Sequence, residues 1–136
     1  MALVCASKSC PRLRRETYVG ERLNAQLDDQ ARHFLSLRGN FRIDRERGRV
    51  DLSSIFRWYG RDFVKKHGTD VAFRRHGRAE RAVLNFSLAY LAKADRPYLL
   101  RERYSISYTA YDWSLNEQPP KKRDNEAQEA EKGGTK

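Results

Sequence analysis

Two cysteines stand five positions apart near the start of this 136-residue chain, Cys5 and Cys10, and Cys10 is the stronger candidate for chemistry. A cysteine attacks as its thiolate, so a working one needs a pKa below the roughly 8.5 of a free thiol. Cations favour the thiolate, and Lys8, Arg12, Arg14 and Arg15 all lie close to Cys10 in sequence. The stretch Ala6-Ser7-Lys8-Ser9-Cys10-Pro11 consists of small residues closed by a proline, which predicts a loop with room for a substrate carbonyl. Ser7 and Ser9 are candidate donors to an anion beside Cys10, and Lys8 is a candidate counter-charge. The plainer readings stand next to these. A cysteine is often just a small apolar group in a core, and loop serines mostly satisfy backbone. Cys5 ends the apolar run Ala2–Cys5 and is expected to be core. A disulfide between the two would close a very small loop, and two cysteines do not make a secreted disulfide framework.

A thiol enzyme also needs a base within hydrogen-bond reach. The chain offers His33, His67 and His76. His33 adjoins an apolar helical stripe. His67 and His76 each precede a glycine at an expected helix end, where capping is the ordinary role of a cationic side chain. No residue pattern calls for a cofactor, and with a C-x4-C spacing and distant histidines no metal site is expected. HExxH, GxSxG and Gly-rich phosphate-loop patterns are absent from the sequence.

Aromatic residues with acids among them form the second group of candidates. These are Trp58-Tyr59 with Asp62, and Tyr111-Asp112-Trp113. Either set has the makings of a pocket wall, though aromatics at such spacing more often build a core. Asp112 is a candidate binding residue. Buried between two aromatics it would need a donor, an arginine being the natural one.

The elements that must hold these residues follow from periodicity. A helix is expected from about Val19 to Leu37, with Leu23, Leu27, Ala31, Phe34 and Leu35 on one stripe. A hairpin follows, Phe41-Arg42-Ile43 turning through Asp44 to Gly48 into Arg49-Val50-Asp51-Leu52. Ser53 or Ser54 caps a helix from Ile55 to about Lys66. A short helix capped by Thr69 or Asp70 and ending near Gly77 is expected next, then a longer one from Arg78 to Lys93. Tyr104, Ile106 and Tyr108 alternate with Ser105, Ser107 and Thr109 as a strand does. Residues 117–136 contain no aromatic residue and read as a disordered charged tail. Strands separated by helices, with one hairpin among them, give an α+β fold: a mixed or antiparallel sheet covered by helices over residues 1–116.

Net charge is +10, and because residues 117–136 hold five acids and five bases, the excess belongs to residues 1–116. Such a field attracts an acidic partner or a polyanion such as nucleic acid, although an ordinary solvated surface is the first explanation. The basic runs are Arg12-Arg14-Arg15, Arg42-Arg45-Arg47-Arg49 and Arg74-Arg75-Arg78-Arg81. No apolar run approaches the roughly 20 residues of a membrane span or the core of a signal peptide, so the chain as written is expected in the cytoplasm.

Three of these motifs carry a resemblance. Ala2-Leu3-Val4-Cys5-Ala6-Ser7-Lys8-Ser9-Cys10-Pro11, Leu52-Ser53-Ser54-Ile55-Phe56-Arg57-Trp58-Tyr59-Gly60-Arg61-Asp62-Phe63 and Tyr108-Thr109-Ala110-Tyr111-Asp112-Trp113-Ser114-Leu115-Asn116 resemble, in order, the second half of the domain-of-unknown-function family 547. The resemblance spans residues 2–116. It implies that family members carry further sequence before this strand, including an asparagine-rich helical segment and a histidine, so the chain is expected to be an incomplete or mis-started domain. It also implies export if the true start lies upstream, since bacterial relatives are often exported. The family's activity is not established. Its suspected likeness to papain-like or transglutaminase-like cysteine enzymes makes Cys10 the implied nucleophile, with its histidine outside this chain. The competing expectation is a non-catalytic basic module that binds a polyanion.

Overall fold

The computed structural model describes residues 5–117. The chain runs through a 3-10 turn (Gly20–Arg22), α1 (Leu23–Ser36), β1 (Phe41–Asp44), β2 (Arg49–Ser53), α2 (Ser54–His67), α3 (Arg78–Leu88), the short α4 (Arg96–Leu100) and β3 (Ser105–Thr109). The fold is α+β. The three strands make one mixed sheet in the order β1-β2-β3, with β1 antiparallel to β2 and β3 parallel to it. Gly48, at φ +58°, turns the hairpin in the left-handed region that only glycine enters freely.

The sheet is small, so its central strand is the part most deeply enclosed. Val50 and Leu52 are fully buried on β2, and the core continues into Phe34 and Leu35 of α1, Ile55 and Phe56 of α2, Val83, Leu84 and Phe86 of α3, and Leu99 of α4. Phe56 is its hub, with ring centroids 5.7 Å from Phe34 and 5.6 Å from Phe63, both edge-on. Each such large side chain contributes about 1.5–3 kcal/mol by leaving water. Ser53 caps α2, its hydroxyl accepting from Ile55 N at 3.3 Å. Helices α2 and α3 pack against each other, and Gly60 makes this possible: a Cβ there would stand 3.3 Å from that of Ala79.

The expected helix between Thr69 and Gly77 does not form. Residues 68–77 are loop and turn, because Phe73 is drawn fully into the core with φ at +58°, a conformation that stops a helix. Glu102 holds this loop, accepting a hydrogen bond from Arg75 N at 2.9 Å. Burial pushes the Glu102 carboxyl up, but the backbone N–H groups of Arg75, Arg74 and Phe73 outweigh it and hold the pKa below the ordinary carboxylate value. Helix α3 ends at Leu88 rather than Lys93. On α1, Leu23 is exposed, whereas the polar Gln26 and Gln30 are buried. Both glutamines are used: Gln26 Nε2 donates to Thr17 O, Gln26 Oε1 accepts from Val19 N, and Gln30 Nε2 donates to Arg12 O. They tie the extended segment 12–19 onto the helix, so polar side chains do there what apolar periodicity assigned to Leu23.

The expected first strand, Ala2–Cys5, lies outside the described residues except for Cys5, which is not in a strand. Of the tail expected at 117–136, all but Glu117 lies outside them too. No helix among the described residues is long and apolar enough to cross a membrane.

Candidate functional site

The candidates of both ends of the sequence meet in space. After β3 the chain runs back along the cysteine loop and pins it. Ser7 and Leu115 form an isolated antiparallel bridge. Lys8 N donates to Ser114 O at 3.0 Å, Ser9 N to Asp112 O at 3.3 Å, and Asn116 N to Ala6 O at 2.7 Å. Ser9 Oγ accepts in turn from Asp112 N at 2.9 Å. Ser7, Lys8, Ser9 and Asp112 therefore belong to one constellation.

Within that frame Cys5 and Cys10 are joined as a disulfide, with Cα atoms 5.8 Å apart. The small loop that such a bond must close is closed by a turn in which Cys10 N donates to Ser7 O at 3.1 Å. Cys10 is half-buried. Cys5 is exposed rather than core, and its Sγ lies 3.1 Å from Ser7 Oγ and 3.3 Å from Tyr111 Oη. Those two hydroxyls share a hydrogen bond of 2.6 Å, and Ser7 is buried. A reduced thiol at Cys10 thus exists only once this disulfide opens.

The aromatic candidates border the same place. Tyr111 packs on the core, with Trp58 5.0 Å and Trp113 4.5 Å from its ring. Trp58 and Trp113 stack at 5.5 Å, yet they are 47% and 70% exposed. They form a surface ledge and not the core that their spacing suggested, and Tyr59 is exposed as well, lining a separate cavity with Leu27, Asp62 and Phe63. Ile55 and Phe56 fill the interior with Phe63 packed against them, while Trp58 and Tyr59 lie nearer the edge of that face and stay exposed.

Asp112 is exposed and needs no arginine. Its Oδ1 accepts from the Ser114 hydroxyl at 2.6 Å and from Ser114 N at 2.9 Å. Those two bonds, helped by the charge of Lys8, hold its pKa below the ordinary aspartate value. The histidines stand elsewhere. His67 is the last residue of α2 and lies edge-on to Phe86, 5.0 Å between centroids, and burial followed by the Lys66 charge pushes its pKa down. His76 stacks on Tyr104 at 5.2 Å. His33 is exposed and lines a cavity with Arg12, Arg15 and Asn116. None of the three hydrogen-bonds either sulfur among the described residues. Among those residues no group of three or more His, Cys, Asp or Glu is placed to hold a metal ion.

The basic runs have different fates. The hairpin run is neutralised in place: Arg42 and Arg49 clamp Asp51 at 2.6 and 2.7 Å, Arg45 pairs with Asp95 at 2.7 Å, and Arg47 approaches Asp44 at 3.8 Å. Arg14 is held between Glu16 and Asp29, at 2.6 Å from each. A different group is left over. Arg57, Arg61 and Lys65 line one open cavity of about 1130 Å³ with Arg78, and none has a carboxylate within 4 Å among the described residues. Sequence reasoning missed the first three because it looked for cations adjacent in sequence. Their spacing of four was the signal, since it places them on one face of α2.

The segment that carries both cysteines also carries a family signature. Residues 1–35 match the family Protein of unknown function, DUF547. The DUF547 match takes in the Cys5–Cys10 loop, the Arg12–Arg15 run and nearly all of α1. It is narrower than the resemblance traced over residues 2–116, and the motifs at 52–63 and 108–116 lie outside it. No curated protein and no solved structure matches the chain.

Proposed function

We propose that the Cys5–Cys10 loop is a reversible thiol–disulfide site in which Cys10 forms the covalent bond to substrate and Cys5 is its leaving and resolving partner. The observation that carries this reading is the asymmetry around the two sulfurs. Ser7 Oγ and Tyr111 Oη lie within hydrogen-bond range of Cys5 Sγ, so a thiolate forming there is stabilised. A sulfur that leaves as a stabilised thiolate leaves faster. An external thiolate attacks Cys10 Sγ, the Cys5–Cys10 bond breaks, and its electron pair moves to Cys5 Sγ. The mixed disulfide on Cys10 is resolved when the Cys5 thiolate attacks it, releasing the external thiolate and restoring the original bond. Lys8, Ser9 and Asp112 keep the loop seated, and the Trp58–Trp113 ledge offers apolar contact to whatever carries the thiol.

Trapping tests this. In native protein exposed briefly to a reduced low-molecular-weight thiol and quenched with acid, mass spectrometry locates the mixed disulfide at Cys10 and the free thiol at Cys5. Free alkylation of both cysteines in unreduced native protein, or an adduct at Cys5 in preference to Cys10, overturns the assignment.

A second reading, a non-catalytic basic module that binds a polyanion, is favoured by one observation: Arg57, Arg61, Lys65 and Arg78, which have no acid partner among the described residues, share one cavity.

A further inference from the structure

Seven arginines among the described residues are held by acids of the chain: Arg14, Arg22, Arg42, Arg45, Arg47, Arg49 and Arg81. The groove between α2 and the start of α3 differs. Arg57, Arg61 and Lys65 recur at intervals of four on α2, and Arg78 faces them from the first residue of α3. All four are exposed. Like charges four apart on a helix repel one another, so this stripe works against the stability of α2 rather than for it. A cost of that kind is expected where the charges serve something outside the chain.

The groove contains one acid, Glu80, and its oxygens are already engaged. One accepts from Gly77 N at 3.0 Å and the other from Tyr108 Oη at 3.3 Å. Burial, with Glu80 adding to it, pushes the Tyr108 phenol up to about 12, so it remains a neutral donor. The Arg57 guanidinium lies 5.8 Å from the centre of the Tyr108 ring, which holds it against the groove wall. The cavity around His33 makes the contrast. It gathers Arg12, Arg14 and Arg15 but also Glu16, Asp29 and Glu117, and so lacks a comparable excess of one sign.

We propose that this groove binds the phosphodiester backbone of a single-stranded nucleic acid, a commitment that rests on the polyanion reading and not on the thiol site. Four residues of helix advance about 6 Å, so the stripe presents one cation per regular step along its length. A ligand with one charge on every unit matches that ruler. Arginine supplies three of the four cations, and its planar fork pairs with phosphate oxygens in a bidentate way.

The probe is a fluorescein-labelled single-stranded oligonucleotide of about 12 nucleotides, read by anisotropy between about 50 and 200 mM salt. Native protein binds it with a log–log salt slope of about −2 to −3, given roughly −0.7 per phosphate neutralised on a single strand. The double variant R61E/K65E binds about tenfold or more weakly at low salt and shows a shallower slope. R45E/R47E carries the same change of net charge on the hairpin and stays within about twofold of native. Circular dichroism verifies that both variants are folded. Equal losses in the two doubles would overturn the groove while leaving a basic polyanion binder. No binding by native protein at low salt would overturn both. Tighter binding of a polyglutamate peptide of equal charge would overturn the nucleic-acid assignment.

Discussion

At the scale of single residues, Tyr111 matters most to the cysteine loop. Its hydroxyl is shared between Ser7 Oγ at 2.6 Å and Cys5 Sγ at 3.3 Å, while its ring packs on the core. Tyr111→Phe keeps the packing and removes the donor. A hydrogen bond contributes about 1 kcal/mol net, so reduction of the disulfide by a small thiol should slow about fivefold. A stopped-flow assay with excess thiol measures it, and an unchanged rate would mean that the hydroxyl does not stabilise the departing sulfur. The constellation around this tyrosine was half legible in the sequence. Ser7, Lys8, Ser9 and Asp112 were candidates by type, but nothing in their spacing says that positions 7 and 115 pair, since a bridge between distant segments leaves no local periodicity. The Cys5 environment was misjudged for the same reason. An apolar run of four residues does not reveal which side its last member faces.

At the scale of elements, the pairing of α2 with α3 depends on Gly60. A Cβ there meets Ala79 at 3.3 Å and Val83 at 3.8 Å, so larger side chains force the helices apart. Gly60→Leu should destabilise the protein by about 1–3 kcal/mol, as overpacking of a close interface does, despite the better helix propensity of leucine. Chemical denaturation checks this, and a stability equal to native would show that the interface can give way. The elements themselves were largely readable. The hairpin, α1, α2 and β3 follow from alternation and from apolar stripes. The helix expected over 69–77 failed because Phe73 is held in the core with a positive φ and Glu102 binds the loop's backbone N–H groups, both long-range facts that no window of sequence contains. The exposure of Trp58 and Tyr59 was hidden similarly: the apolar face of α2 is broad, and only packing decides which of its members are enclosed.

At the scale of the whole molecule, charge governs behaviour with pH. His67 is pushed below the ordinary 6.5 by burial between Phe63 and Phe86 and by Lys66. The folded state therefore takes up its proton less readily than the unfolded chain. Stability is fully retained above 6.5 and declines as pH falls through 6.5 toward the depressed folded value. The thermal midpoint of native protein should drop between pH 7 and pH 5 more steeply than that of His67→Gln, which lacks the titrating ring. Parallel curves would assign the acid sensitivity to other groups.

The pairing of residues 6–9 with residues 112–116 has a kinetic meaning as well. It joins parts of the chain separated by about a hundred positions, so it is the contact with the greatest loop-closure cost and few apolar groups to offset it. Such a contact is the natural place for the fold to open first, without disturbing the sheet. The clasp and the sulfurs share that opening. Exchange of the Lys8 and Asn116 amides with solvent and admission of a bulky thiol to Cys10 are then two readings of one breathing motion, and its frequency sets the upper limit on how fast this loop can react.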